Sequence, residues 1–327
     1  MSQFVKQCQC MLAFLMLVLC AGAAFGQAAS FPTKPIRVIM PFPAGGSADA
    51  GLRPVTEALR PILGQPVILD ARPGAGGVIA TRYVIEQPAD GYTIAMISNG
   101  SAIRSAVPNR PFDIRKDLAH IAQTVETPMG IAVNSAKLPV KSLEELVDFA
   151  RANPGRINFS SFGQGTMAHL IIEYIAETRS LKLVHVPYNG SPAEFTALLR
   201  GDSDAGLNSL RTYYPGLGGG KLRVIAITSA GRSEAAPDIP GMKESGFEGI
   251  DIPGWTVLSA PAATASDILN KLNFAINKAL AEPAVREQIA KLGSAAQITT
   301  REQVTQRINR EVAIYERVIR TANIVIE

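Results

Sequence analysis

The feature that most constrains the fold of this chain is an alternation of short β-branched runs with longer amphipathic stretches. The alternation starts with the run IRVIMPF at 36–42 and continues with an amphipathic stretch at 48–63 and the run PVILDA at 66–71. A further stretch at 78–87 and the run YTIAMIS at 92–98 extend it. Strands that alternate with helices are typical of α/β layers around a mostly parallel sheet. The pattern therefore predicts an α/β fold whose first domain begins within residues 36–98.

A second series of the same kind follows the loop VPNRPFDIRKD. It runs from the predicted strand MGIAVN at 129–134 to the predicted strand RVIAITS at 223–229. The other predicted strands of this series lie at 157–162, 183–188 and 204–209. Ser142 is a suitable N-cap for the first helix of the series, because Glu145 follows three residues later as in a capping box. The chain is therefore predicted to contain two doubly wound α/β sheets.

The end of the chain contains one more strand-like run, WTVLSAP at 255–261, followed by predicted helices. Because a single strand does not form a stable sheet of its own, this tail is expected to return to the first domain. The predicted domains are residues 29–130 together with 253–327, and residues 131–252. Two lobes joined by two crossings leave a cleft, and open α/β sheets bind ligands outside the carboxyl ends of their strands. We therefore expect ligand contacts in the loops that follow strands.

Residues 1–28 have the layout of a secretory signal. One lysine precedes an apolar stretch, MLAFLMLVLCAGAAF, and small residues offer cleavage after Gly26 or Ala28. The stretch is shorter than the roughly 20 residues that span a bilayer, so we expect release from the membrane, with an uncleaved anchor as the alternative. Cys20 raises the question of a lipid anchor, but Leu19 is bulky where a lipoprotein site has a small residue. The segment predicts an exported protein with a cleaved signal.

The side chains that remain after this segment exclude several classes of function. All three cysteines lie inside it, at Cys8, Cys10 and Cys20, so the exported chain has no disulfide and no thiol nucleophile. The three histidines lack the spacing of metal ligands. The net charge of +4 contains no run of five like charges, whereas nucleic-acid binding calls for a concentrated basic face. We therefore predict no metal, no cofactor and no nucleic-acid partner.

Two glycine-containing loops are candidates for anion binding. The first, PFPAGGSAD at 41–49, follows a predicted strand, and Gly45 and Gly46 allow a close approach of backbone N–H groups to a ligand. The second, SSFGQGTMAHL at 160–170, also follows a strand and precedes a helix. The N-terminus of a helix favours anions through its dipole and its free N–H donors. A simple capped turn is the alternative for the first loop.

The second loop also matches a dinucleotide-binding pattern, because Gly163, Gly165 and Ala168 satisfy G-x-G-x-x-A. That pattern requires a ribose-binding acid about twenty residues later, at the end of the next strand, but this strand ends in HVPY. The nucleotide interpretation therefore loses its main support. The groups that remain, a helix N-terminus with the Thr166 hydroxyl and the Gln164 amide, suit a carboxylate.

The sequence does not contain a recognisable set of catalytic residues. The chain contains no G-x-S-x-G elbow of a serine hydrolase. An enzyme acting on an organic acid is the alternative function, with Asp49 or His169 as general acid or base, but the sequence identifies no second catalytic partner. His169 is also suited to support the second loop, three residues after Thr166, or to be a buried structural histidine. Trp255 is expected in core or hinge packing rather than in stacking on a ligand.

Seven motifs in order resemble one protein family: KPIRVIMPFPAGGSAD, RPGAGG, ADGYTIAM, INFSSFGQGTMAHL, HVPYNGSPAEFTALLRGDSDAG, GKLRVIAITSAGR and EPAVREQIAKLG. They resemble the Bug-type, or tripartite tricarboxylate transporter (TctC-like), substrate-binding proteins over essentially the whole exported chain. The resemblance implies a monomeric periplasmic protein with a two-lobed, Venus-flytrap fold. It further implies closure on a small organic acid, which is then passed to the membrane permease subunits of a tripartite transporter. Presentation of the solute to a sensor kinase is the alternative.

Carried over position by position, the resemblance implies ligand-binding residues in four loops. They are Phe42, Ala44, Gly45, Gly46 and Asp49; Ser98 and Asn99; Ser161, Gln164, Gly165 and Thr166; and Asn208 and Ser209. His169 and Tyr188 are implied as supporting residues. Family members commonly have a basic residue in the HVPY-G motif, where this chain has Asn189. The change removes a cation near the expected cleft and favours a monocarboxylate or a neutral solute.

Overall fold

A computed structural model describes residues 31–326 of the chain. The first elements are β1 (Ile36–Met40), α1 (Ser47–Leu63), β2 (Val67–Ala71), α2 (Val78–Ile85), β3 (Thr93–Ser98), α3 (Asn99–Ala106), α4 (Ile114–Asp117) and β4 (Leu118–Thr127). The middle elements are β5 (Met129–Asn134), α5 (Leu143–Ala152), β6 (Asn158–Ser161), α6 (Met167–Arg179), β7 (Val184–Pro187), α7 (Ser191–Arg200), β8 (Ala205–Ser209), α8 (Leu210–Leu217) and β9 (Leu222–Ile227). The last elements are β10 (Gly254–Pro261), α9 (Ser266–Ala281), α10 (Pro283–Lys291), β11 (Ala295–Ala296) and α11 (Arg301–Thr321).

The strands form two sheets, and both sheets are mixed. The first has the order β11-β4-β10-β3-β1-β2, and the second has the order β7-β6-β8-β5-β9. β1 is parallel to β2 and β3, and β6 is parallel to β7 and β8. β10 is antiparallel to β3 and β4, and β5 is antiparallel to β8 and β9. Four of the six strands in the first sheet and four of the five in the second still run in one direction, as expected, and β5, β10 and β11 are the antiparallel exceptions. The reason is that β5 and β10 each begin at a crossing, so each enters its sheet from the opposite end.

Helices cover the first sheet on both faces. Ile36, Val38 and Met40 point from β1 into a core that also contains residues of α1 and α9. Ile39, which alternates with them, points into another core with residues of α2, α3 and α11. Successive side chains of a strand face opposite sides of the sheet, so β1 is buried on both faces. The α/β fold class with two doubly wound sheets is confirmed.

Most elements lie close to their predicted positions. β5 has the predicted bounds, and Ser142 Oγ accepts a hydrogen bond from the Glu145 N–H group at 3.1 Å, as expected for an N-cap. Five elements were not predicted from the sequence: β4, α3, α4, α8 and β11. β4 lacks a clean apolar alternation because polar residues are buried within it. His120 is one of them, and its Nδ1 lies 3.0 Å from Ser259 Oγ on the neighbouring strand β10.

The chain passes between the two sheets at two places. β4 ends at Thr127 in the first sheet and β5 begins at Met129 in the second. Residues 228–253 lead back from β9 to β10. The helix α11 is a third link, because it packs against α3 and β4 of the first lobe and α6 of the second. These links place the loops after β1, β3 and β6 opposite one another.

The predicted signal at 1–28, with its cleavage site and Cys20, lies outside the described residues. None of the helices within 31–326 combines the length and the apolar character that crossing a membrane requires.

Candidate functional site

A cleft of about 500 Å³ lies between the two lobes. Its walls come mainly from loops that follow β1, β2, β3 and β6, and the C-terminal tail adds one residue. The lining residues are Pro41, Phe42, Gly74, Gly76, Gly77, Ser98, Asn99, Gly100, Ile103, Arg104, Phe162, Gln164, Gly165, Thr166, Met167 and Ile326. The cleft thus lies outside the carboxyl ends of strands from both sheets, where open α/β sheets bind ligands. Its volume is that of a small-molecule site.

The loop at 162–166 presents the second lobe to the cleft. Gly165 has φ of +66°, a left-handed conformation that favours glycine. Thr166 is the N-cap of α6, and its hydroxyl donates a hydrogen bond to the Gly163 carbonyl at 2.7 Å. The hydroxyl proton of Thr166 is therefore already used inside the loop. The donors suited to a ligand are the exposed amide of Gln164 and the first-turn N–H groups of α6, which have no acceptor within the helix.

Two stacked imidazole rings lie beneath this loop. His169 Nδ1 accepts a hydrogen bond from the Gly165 N–H group at 3.2 Å, and the centroids of the His169 and His185 rings are 3.7 Å apart. His185 Nε2 lies 2.7 Å from Ser161 Oγ. Burial lowers the pKa of each histidine to about 4, and the proximity of His185 adds to the effect on His169. Both rings are therefore neutral at physiological pH, the state in which Nδ1 of His169 accepts a hydrogen bond.

The carboxylate of Asp49 is used within the first loop. It accepts hydrogen bonds from the Gly45 N–H group at 2.7 Å and from Arg53 at 2.7 and 2.8 Å, and only 3 % of Asp49 is exposed. The Gly45 N–H group, together with Arg53, holds the pKa of Asp49 below its usual range. Phe42 lines the cleft. The other residues predicted for this loop lie outside the described cleft lining: Ala44, Gly45, Gly46 and Asp49.

Asn99 lines the cleft, but its amide is bound to other parts of the protein. Nδ2 donates to the Pro253 carbonyl at 3.1 Å and to Glu311 Oε2 at 3.2 Å. Oδ1 accepts a hydrogen bond from the Trp255 N–H group at 2.9 Å. Ser98, the residue before it, also lines the cleft. Asn99 therefore fixes the start of β10 to the cleft wall instead of presenting its amide to a ligand.

The remaining residues predicted for the second lobe lie behind the loops. Ser161 is fully buried, and Asn208 Nδ2 donates to Glu194 Oε2 at 2.7 Å. Ser209 is the N-cap of α8. Tyr188 is half-buried, and its N–H group donates to the Ser161 carbonyl at 2.9 Å. These four predicted residues are not among the described residues that line the cleft.

The glycine turn at 74–77 and Arg104 belong to the cleft, although the sequence analysis did not assign them to it. The turn is visible in the sequence as RPGAGG, directly after a strand, which is the signal that could have identified it. Arg104 lies on α3, a helix that the sequence did not indicate. Asn189 is exposed and is not among the described lining residues.

The arrangement is suited to binding a small anion by neutral donors and one cation. No group of three or more His, Cys, Asp or Glu within 31–326 is placed to hold a metal ion. The two residues considered as general acid or base are used structurally: Asp49 holds Gly45, and His169 holds Gly165.

Comparisons with known proteins extend over both lobes. The chain matches the family model described as tripartite tricarboxylate transporter family receptor over residues 52–324. The protein BugT of Bordetella pertussis is 33 % identical over 301 residues, which cover 91 % of this chain and 92 % of BugT. A TctC solute-binding protein from Polaromonas, solved without ligand, has a TM-score of 0.82 at 26 % identity and covers 89 % of this chain and 100 % of its own. An R. palustris protein solved with adipate has a TM-score of 0.70 at 26 % identity and covers 90 % of this chain and 99 % of its own.

Proposed function

This chain belongs to the tripartite tricarboxylate transporter receptor family, and from that premise we propose that it captures a small organic acid in the periplasm. It delivers the acid, chemically unchanged, to the membrane permease subunits of a tripartite transporter. The family and the fold are those of solute-binding receptors, not of enzymes. We assign residues 29–130 with 253–327 to one lobe and residues 131–252 to the other, and we expect the exported protein to work as a monomer.

The observation that carries this proposal is that walls from two separate sheets meet in one cleft of small-molecule size. From one lobe, the 162–166 loop contributes the Gln164 amide and the N-terminus of α6. From the other, the loops after β1 and β3 contribute Phe42 and the N-terminus of α3. Helix N-termini and amide donors suit carboxylates. The adipate bound to the R. palustris relative belongs to the same chemical class.

The mechanism is a shift of population between open and closed arrangements of the lobes. A ligand that contacts both walls gains contacts only when the lobes approach, so it favours the closed arrangement. The chain is more similar to the unliganded Polaromonas protein than to the adipate-bound one, with TM-scores of 0.82 and 0.70 at equal sequence identity. The difference supports an open arrangement of this chain.

A ligand screen tests the proposal. The chain without its predicted signal is melted in the presence of mono-, di- and tricarboxylates, aromatic acids, amino acids and the corresponding amides. A ligand of the native state alone stabilises it by about 2.7 kcal/mol at a hundredfold excess over Kd, so an organic acid should raise Tm clearly. The acid should be recovered unchanged by NMR. If no acid binds, or the acid is converted, the proposal is wrong.

Gln164→Ala tests whether the ligand lies in this cleft. Loss of its amide should weaken binding by about 1 to 3 kcal/mol, the usual range for a hydrogen bond to a charged group, with the fold retained. The matched control is Gln306→Ala, an exposed glutamine on α11, which should leave affinity unchanged. Equal affinities of the two variants, measured by titration calorimetry, would place the ligand elsewhere.

A further inference from the structure

The residues after α11, the tail 322–326, are fixed in direction by the way this helix ends. Asn323 has φ of +51°, a left-handed conformation that Asn adopts at helix ends in place of glycine. The N–H group of Ile324 donates to the Ile319 carbonyl at 3.0 Å, and both side chains are buried in the same core. A hydrogen bond of this span after a left-handed residue is that of the Schellman motif. The tail therefore leaves α11 in one defined direction.

The side chains of the tail alternate between the protein and the solvent. Ile324 is buried, Val325 is 71 % exposed and Ile326 is half-buried. Ile326 packs against the core that contains Ile324, and it also lines the cleft. Ile324 thus anchors the tail, and Ile326 forms a part of the cleft wall that none of the loops after strands provides.

Ile326 lies on bare backbone of the 162–166 loop. A Cβ atom on Gly165 would lie 2.7 Å from Ile326 Cγ1 and 3.2 Å from its Cδ1, so any larger residue at this position would collide with the tail. Gly165 therefore leaves the space that Ile326 fills. It is followed directly by Thr166, the N-cap of α6. The apolar side chain of Ile326 thus stands beside the helix N-terminus that suits a carboxylate.

Other walls of the cleft are apolar as well. The apolar side chains that line it together with Ile326 are those of Phe42, Ile103, Phe162 and Met167. A carbon chain gains free energy for each methylene group that it buries against such walls, but only as far as the walls leave room. Isoleucine is branched at Cβ and has few rotamers, so it forms a stiff wall. A ligand therefore has to fit the space that Ile326 leaves.

We propose that Ile326 limits the length of the acid that the cleft accepts. The inference rests on the proposed function and deepens it. An acid whose carboxylate lies at the N-terminus of α6 has Ile326 beside its carbon chain, and a longer homologue collides with this side chain when the lobes close. One methylene group that fits or does not fit an apolar pocket changes the affinity about tenfold or more. Ile326→Ala removes the branched end of the side chain and should admit the longer homologue.

Calorimetric titrations of the chain without its predicted signal test the length limit. The probes are three homologous series: butanoate to octanoate, succinate to suberate, and benzoate to 3-phenylpropanoate. In a series that binds, the affinity of the acid one methylene longer than the wild-type optimum, relative to that optimum, should rise about tenfold in Ile326→Ala. The matched control is Val325→Ala, which shortens an aliphatic side chain on the exposed side of the tail and should keep the wild-type ratio. Equal ratios in the two variants overturn the inference.

Protection of a thiol tests the contact between Ile326 and the acid. All cysteines of the chain lie within the predicted signal, so Ile326→Cys and Val325→Cys without that segment each carry a single thiol. N-ethylmaleimide is a neutral reagent and does not compete for an anion site. The tightest acid of the screen, at a hundredfold excess over Kd, should slow alkylation of Ile326→Cys about tenfold or more, because nearly all sites are filled. Alkylation of Val325→Cys should not change. An unchanged or faster reaction of Ile326→Cys overturns the inference.

The two measurements separate this inference from the proposed function. Circular dichroism reports whether Ile326→Ala folds; if it does not, the thiol measurement decides. If an acid binds the wild type but neither the affinity ratio nor the thiol responds, this inference fails and the proposed function stands. If no acid in the wider screen binds, both fail.

Discussion

Single buried residues in the second lobe are held by neutral hydrogen-bond donors. Glu194 is fully buried, and its Oε1 accepts from the hydroxyls of Ser160 and Tyr213 at 2.9 Å each. Asn208 donates to Oε2. These described partners carry no positive charge, and burial raises the pKa of Glu194 to about 7 although the three hydrogen bonds oppose the shift. The group thus changes its charge near neutral pH.

This pKa predicts a pH-dependent contribution to stability. The usual value for Glu194 is 4.5, so between pH 4.5 and about 7 the folded protein binds more protons than the unfolded chain, and stability is lost as pH rises through that window. Glu194→Gln removes the titration. Urea unfolding at pH 4 and pH 8 should show the wild type losing about 3 kcal/mol relative to the variant. The histidines titrate equally in both proteins and cancel; a constant difference would contradict the raised pKa.

Residues could be assigned to the cleft from the sequence where a local backbone pattern, such as a glycine turn before a helix, marks the loop. Gly165 and Gln164 lie in a loop that its glycines and the following helix mark in the sequence, and both line the cleft. The structural contacts of Asn99 could not be predicted because its partners are remote: Pro253 and Glu311 lie 154 and 212 residues away in the chain. A contact of that separation leaves no local pattern.

Three elements meet at Asn99, the first residue of α3. Trp255, near the start of β10, donates its backbone N–H group to Asn99 Oδ1. Its indole Nε1 donates to Glu311 Oε2 of α11 at 2.8 Å. Glu311 has no exposed surface, and burial raises its pKa to about 7. The cluster lies where the second crossing enters the first sheet and beside the cleft wall. The cluster therefore connects the cleft wall at α3 to β10, the strand that follows the second crossing.

Asn99→Ala tests this connection between elements. The substitution leaves the Trp255 N–H group and the Pro253 carbonyl without their partner, and each unsatisfied buried group costs about 1 to 3 kcal/mol. The variant should be destabilised by at least that amount in urea unfolding. Asn309→Ala, at an exposed position of α11, is the control and should change stability by about 0.5 kcal/mol or less. Equal stability of the two variants would show that the cluster does not hold the elements together.

At this scale the sequence was most informative about strands with a regular apolar pattern. β1, β3, β5 and β10 were recognisable from their β-branched runs, and β10 lies in the first sheet, where the tail was expected. β4 was not recognised in the sequence because polar residues that are buried in it interrupt the apolar pattern: His120, Gln123 and Thr124. His120 Nδ1 lies 3.0 Å from Ser259 Oγ and Thr124 Oγ1 lies 2.8 Å from Thr256 Oγ1, and both partners are on β10, so these contacts belong to the tertiary structure. The antiparallel entry of β5 and β10 likewise follows from the crossings, not from the local sequence.

The molecule as a whole consists of two lobes, two crossings and a helix that contacts both lobes. α11 packs against α3 on one side and α6 on the other, and the tail that follows it places Ile326 in the cleft beside Gly165. Movement of the lobes must therefore be accommodated at Pro128, in 228–253 and along α11. The 500 Å³ cleft has room for a small acid that reaches from one wall to the other.

Closure of the lobes around an acid is the central claim, and small-angle X-ray scattering tests it most directly. The radius of gyration of the chain without its predicted signal is measured alone, with a saturating acid from the screen, and with the neutral diamide of that acid. The account predicts a smaller radius with the acid and no change with the diamide, because contacts from both lobes form only in the closed state. An unchanged radius at full occupancy of the acid would contradict the account.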